Sequence, residues 1–150
     1  MQRVTEIRHA GAWNADTAID RAVLDSGDRY RRRTVLTGKR GTSILLDWPR
    51  PVSLRDGDGL VLEDGTIVAV VGAPEPLAEI GPPAPRMLVS LAWHLGNRHT
   101  DVQISSDRIR IRRDHVLEEM VAGFGASITP VEAPFDPLPS ASPGHGHDHG

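Results

Sequence analysis

The sequence predicts an α+β chain: a small all-β N-terminal domain, a ferredoxin-like βαββαβ domain and a flexible His-containing C-terminal tail. Three observations carry this. Residues 1–73 hold short β-rich runs punctuated by Gly, Asp and Pro turn signals. Proline then concentrates at 74, 76, 82, 83 and 85, as in a hinge. Beyond it, apolar residues recur twice at helical spacing, each time beside short β-rich runs.

The elements follow in order. Residues 4–8 suit a short strand, and 12–24 show no clean period. Residues 30–37 and 42–47 flank a Gly38-Lys39-Arg40-Gly41 turn and predict a hairpin. Trp48-Pro49-Arg50-Pro51 should interrupt the second strand, because proline cannot donate into a ladder. Residues 60–63 and 66–71 straddle Asp64-Gly65, a strong hairpin signal. A strand is expected at 77–80. The spacing of apolar residues 88, 91, 92 and 95 predicts a helix over 87–98. Strands are expected at 102–105 and 109–112. A second helix is expected over 114–124, with Asp114 as N-cap and Leu117, Met120, Val121 and Phe124 on its apolar stripe. A last strand at 126–131 completes the β-α-β-β-α-β order of the ferredoxin-like pattern. The domains are therefore expected at 1–73 and 74–131, with the tail at 132–150.

The composition narrows function. The chain has 150 residues, no cysteine, seven histidines and a formal charge of −3. Without thiols, metal chemistry must rest on imidazole helped by carboxylates. No run approaches the ~18–20 apolar residues that span a bilayer. The first residues carry no apolar signal core, so a cytoplasmic location is expected. With 17 basic and 20 acidic residues, the chain as a whole is no polyanion binder. Aromatics are 4%, and strands 102–105 and 109–112 carry none, which disfavours base stacking and nucleic-acid binding. The Arg29, Arg31, Arg32, Arg33, Lys39, Arg40 cluster reads as a solvated strand face or a partner-docking surface. Nucleophile-elbow, P-loop, zinc-protease and dinucleotide motifs are absent. Glu118 and Glu119 point about 100° apart on a helix, so they make no acid–base couple. No catalytic residue emerges, and no enzyme is expected.

Histidine placement is the positive signal. His145, His147 and His149 alternate with Gly146 and Asp148 at the terminus. In an extended backbone they face one way and can converge on one ion. Imidazole suits nickel, zinc and copper alike. His99 follows Gly96-Asn97 at the predicted end of the first helix, where it serves as a cap or as a ligand. One such histidine becomes a paired site if two copies meet on a two-fold axis. His115 opens the second helix as a first-turn residue or an accessory ligand. His9 and His94 read as ordinary histidines.

The segment His94-Leu95-Gly96-Asn97-Arg98-His99, then Val102-Gln103-Ile104 and Asp114-His115-Val116-Leu117, resembles the UreE family of urease accessory proteins. Leu54-Arg55-Asp56-Gly57-Asp58 and Glu63-Asp64-Gly65 resemble that family's N-terminal domain. The resemblance implies a homodimeric nickel metallochaperone that delivers Ni(II) for urease assembly. It implies a peptide-binding-like β domain and a metal-binding ferredoxin-like domain. His99 would match the interface metal histidine, His145, His147 and His149 the variable tail ligands, and His115 a secondary metal position. Arg112 and Arg113 stand where some members carry histidine, and two cations there work against an ion at His115. Zn(II) or Cu(II) would also bind in vitro. Implied partners are the UreG GTPase and the urease apoprotein complex with UreF and UreD (UreH). A zinc or nickel buffer or sensor without delivery is the competing reading.

Overall fold

A computed structural model describes residues 1–138, which divide into two compact units, Met1–Pro74 and the chain from Glu75 onward. Each is described by itself.

The first unit is a curled six-stranded sheet. Its strands are β1 (Gln2–Arg8), β2 (Asp20–Leu24), β3 (Tyr30–Thr37), β4 (Ser43–Ser53), β5 (Gly59–Leu62) and β6 (Ile67–Gly72), in the order β2-β6-β5-β1-β4-β3. Strand β1 joins the two halves. Gln2 and Arg3 pair parallel with β4, a bulge follows at Thr5, and residues to Arg8 pair antiparallel with β5. A bulge bends and twists its strand, which lets β1 serve both neighbours. Alternating residues then point inward: Ile44 and Leu46 from β4, Leu60 and Leu62 from β5, Val68 and Val70 from β6. The β5–β6 turn is at Asp64-Gly65 as expected, with Gly65 at φ 86°. The hydroxyl and amide of Thr66 and the amide of Gln2 bond to Asp64 and hold its carboxyl below the usual range.

Three local expectations change. The aperiodic stretch 12–24 contains a 3-10 turn, Ala15–Thr17, capped by Asn14, and then strand β2. Strand β4 does not stop at Trp48. Its backbone stays extended to Ser53, while pairing jumps from Asp47↔Arg33 to Val52↔Arg31. The two prolines thus break the ladder without ending the strand. Arg29 leaves the surface arginine cluster. It is buried, and its guanidinium donates to the carbonyls of Leu24 at 3.2 Å and Leu54 at 3.1 Å. Arg31, Arg32, Arg33, Lys39 and Arg40 are exposed.

Asp20 is the buried polar brace of this unit. Its carboxylate accepts from the amides of Arg21, Arg40 and Thr42 at 2.7, 2.9 and 3.2 Å. Burial pushes its pKa up, but the Thr42 hydroxyl and those three amides outweigh it and hold the group at about 2. A Cβ on Gly38 would fall 2.2 Å from this carboxylate. Gly38→Ala should therefore lose about 1–3 kcal/mol of stability through overpacking, read by chemical denaturation. Because the folded pKa is depressed, the carboxylate's contribution is complete above the unfolded value near 3.8 and vanishes as pH falls toward 2. Asp20→Asn should flatten that limb of the acid-unfolding curve.

The second unit is ferredoxin-like. It comprises β7 (Glu75–Gly81), α1 (Leu88–Asn97), β8 (Gln103–Ile104), β9 (Ile109–Arg112), α2 (His115–Gly123) and β10 (Ser127–Ala133). All pairings are antiparallel, in the order β10-β7-β9-β8. Both helices pack on the face bearing Ala78, Ile80, Ile109 and Ile111, through Leu91, Leu95 and Val121. Strand β7 begins inside the proline-rich stretch. Pro76 is tolerated there because β9 pairs only from Leu77 onward, leaving no ladder bond for it to donate on that side. Phe124 does not join the α2 stripe in the core; it is 39% exposed and stacks on the His94 ring. The expected tail at 132 also starts too early. Strand β10 runs to Ala133, and Phe135 is fully buried.

Candidate metal centre

His99 sits where helix α1 stops. The amide of His99 donates to Gly96 O at 2.9 Å, and that of Thr100 donates to Leu95 O at 3.2 Å. This paired closure is the Schellman arrangement, and its left-handed position usually holds glycine. Here it holds His99, at φ 59°, the sole non-glycine residue with positive φ among the described residues. Such a conformation costs an L-residue about 1 kcal/mol or more. Gly96 and Asn97 both remain helical, and the helix ends at Asn97 with Arg98 as C-cap, within one residue of the expected end. The imidazole is thereby held on an exposed corner at the end of the helix.

Around it lies an open depression of about 260 Å³, lined by His99, Thr100, Asp101, Arg112, Arg113, Asp114 and Leu117. Its carboxylates are engaged. Asp101 accepts from Arg112 at 3.0 Å, and Asp114 caps α2 by accepting from the Leu117 amide at 3.0 Å. No group of three His, Cys, Asp or Glu side chains among the described residues could hold an ion. Among the described residues of one copy, His99 is the histidine that lines this depression.

His115 is elsewhere on α2. Its Nε2 is 3.2 Å from Glu119 Oε2 across one helical turn, and both side chains are well exposed. The two arginines preceding it are not bare cations. Arg113 makes a two-armed pair with Glu118 at 2.9 and 3.0 Å, which holds the Glu118 carboxyl below its usual range. Arg112 meets Asp101 at 3.0 Å and Glu75 at 3.6 Å. The repulsion expected at His115 is thus largely countered by neighbouring carboxylates. His145, His147 and His149 lie outside the described residues, and His9 is exposed in the first unit.

The sequence reading passed over two features. Trp93, His94 and Phe124 form an aromatic cluster, with ring centroids 5.1 and 4.6 Å apart, and Trp93 and Val89 leave 62% and 77% of their surface exposed. The i,i+4 spacing of Val89 and Trp93 on the outer face of α1 was the available signal. The other is Phe135, whose ring lies 4.8 Å from the Arg112 guanidinium. Being one of only two phenylalanines, it was the available clue to an ordered segment after β10.

Residues 2–73 match the family model for the N-terminal domain of UreE urease accessory protein, and residues 75–150 match that for its C-terminal domain. A protein of Rhodopseudomonas palustris (strain BisB18) named urease accessory protein UreE is 52% identical, across 98% of this chain and 72% of its own length. One of the same name from Bradyrhizobium sp. (strain ORS 278) is 50% identical, across 100% of this chain and 71% of its own length. Another, from Chelativorans sp. (strain BNC1), is 46% identical across 89% and 84%.

Proposed function

The chain belongs to the UreE family of urease accessory proteins, and from that premise we propose that it is a nickel metallochaperone that delivers Ni(II) for assembly of the urease active site. It is an accessory protein and not an enzyme. The observation that carries the proposal is His99, kept at a glycine position of a helix cap despite its strain. Backbone strain in an exposed corner calls for a use beyond folding.

In this reading two copies form a homodimer through the apolar outer face of α1. Exposed Val89 and Trp93 favour it, and His99 lies at the end of the same helix. A two-fold axis there sets His99 beside its own copy. His145, His147 and His149 from either chain complete the coordination. Two interface imidazoles hold the ion weakly, and tail ligands leave singly, so the ion passes on without an all-at-once dissociation. Zn(II) or Cu(II) would occupy the same imidazoles in vitro. His115 with Glu119 gives an outlying two-ligand clip. The receiving partners would be the UreG GTPase and the urease apoprotein with UreF and UreD (UreH), in the cytoplasm.

The test is urease activation at limiting nickel, with and without the chain. Activation should rise several-fold and the gain should disappear in excess nickel. A chain that binds nickel tightly but leaves activation unchanged would be a buffer, the alternative that the sequence also allows.

A further inference from the structure

The segment after β10 crosses the second unit from one side to the other. Strand β10 is one edge of the sheet and β8 is the opposite edge. By residue 136 the chain has reached β8, where the Asp136 amide donates to Gln103 Oε1 at 2.9 Å. The Leu138 amide then donates to Val102 O at 2.7 Å. Three inter-strand spacings are about 14 Å, and the five residues from 133 to 138 reach about 16–18 Å, so this stretch is nearly taut. It crosses on the face turned away from the helices. Arg112 alternates with the inward-facing Ile111 and so lies on that face, where its guanidinium covers the Phe135 ring. Leu77, in register with Arg112, is fully buried without belonging to the helix-side core.

We propose that residues 134–138 are a positioning strap, locked by Phe135 beneath Arg112, that fixes the start of the C-terminal segment beside the His99 loop. The strap ends on Val102, three residues after His99. Arg112 joins the two parts, because the same guanidinium pairs with Asp101 of that loop. His145 lies seven residues beyond Leu138 in sequence, a reach of about 25 Å at most. Without the strap the last fixed point recedes to Ala133 on the far edge, which adds five residues and about 14 Å to the closure. Phe135 and Arg112 thus act as positioning residues, raising the effective concentration of the tail imidazoles at His99. This rests on the reading that His99 and the tail share one ion.

The experiment compares Phe135→Ala, Phe135→Leu and Arg112→Gln in two backgrounds, the full chain and a chain ending at Leu138. Nickel affinity is read by calorimetry, and amide exchange at Asp136 and Leu138 is read without metal. In the full chain Phe135→Ala should weaken nickel binding roughly 3- to 10-fold, the scale of lost effective concentration. In the shortened chain it should change little, and Phe135→Leu should restore most of the loss. Exchange at Leu138 should quicken while the β10 amides stay protected. Equal weakening in both backgrounds would mean general damage and would overturn the strap, as would fast Leu138 exchange in the unaltered chain. Should Phe135→Ala not fold, Arg112→Gln provides the same comparison. Absence of nickel binding by the unaltered chain would sink the chaperone reading instead, while the exchange arm would still decide the strap.

Discussion

Replacing His99 with alanine is expected to lower nickel affinity by roughly 10- to 100-fold, the scale on which metal sites respond when a supporting group is lost. It should also remove the binding shared between two copies, so the metal-to-protein ratio changes along with affinity. Alanine bears the same left-handed strain as histidine, so the backbone cost at this position is unchanged. His99→Gly separates the two effects. Glycine adopts φ 59° freely, so this variant should be about 0.5–1 kcal/mol more stable than His99→Ala while losing nickel to the same degree. Equilibrium dialysis and thermal unfolding on the three proteins give the answer. Wild-type affinity and stoichiometry in His99→Ala would refute the interface site.

The second large effect is on the scaffold beneath that corner. Leu95 is fully buried in the core of the second unit, and its carbonyl accepts the Thr100 amide that closes the helix cap. Leu95→Ala should lose about 2–5 kcal/mol, from lost transfer energy and from the cavity left behind. The backbone bond to Thr100 survives the substitution, so the His99 conformation should persist in the folded fraction. Nickel affinity per folded molecule should then stay near wild type even as the denaturation midpoint drops. A parallel fall in both would show that cap geometry depends on this packing.

The course of the chain was readable where periodicity and turn chemistry agreed. The Asp64-Gly65 hairpin, the Asp114 cap and the apolar positions 91 and 95 of α1 follow from local signals. Strand β2 was not readable, because Ala22 is buried while Val23 is 39% exposed, and so short an alternation is lost among polar neighbours. The extension of β4 through Pro49 and Pro51 was hidden for a different reason. Proline forbids the ladder bond but permits the extended backbone. His99 was legible as a candidate from its motif, but its left-handed backbone was not, since that position of a helix cap normally holds glycine. Phe135 was missed because burial across the open sheet face is a long-range matter with no periodic trace.

The prolines of the second unit carry one more consequence. Pro130 stands within β10, and the Leu138 amide occupies the Val102 carbonyl beside β8. A strand approaching the β10 edge finds no donor at Pro130, and one approaching β8 meets a position already taken. Both margins of the ferredoxin-like sheet are thus poor templates for another chain. Copies that meet must do so through side chains on their surfaces and not by continuing the sheet. That favours assemblies of finite size over open-ended strand stacking.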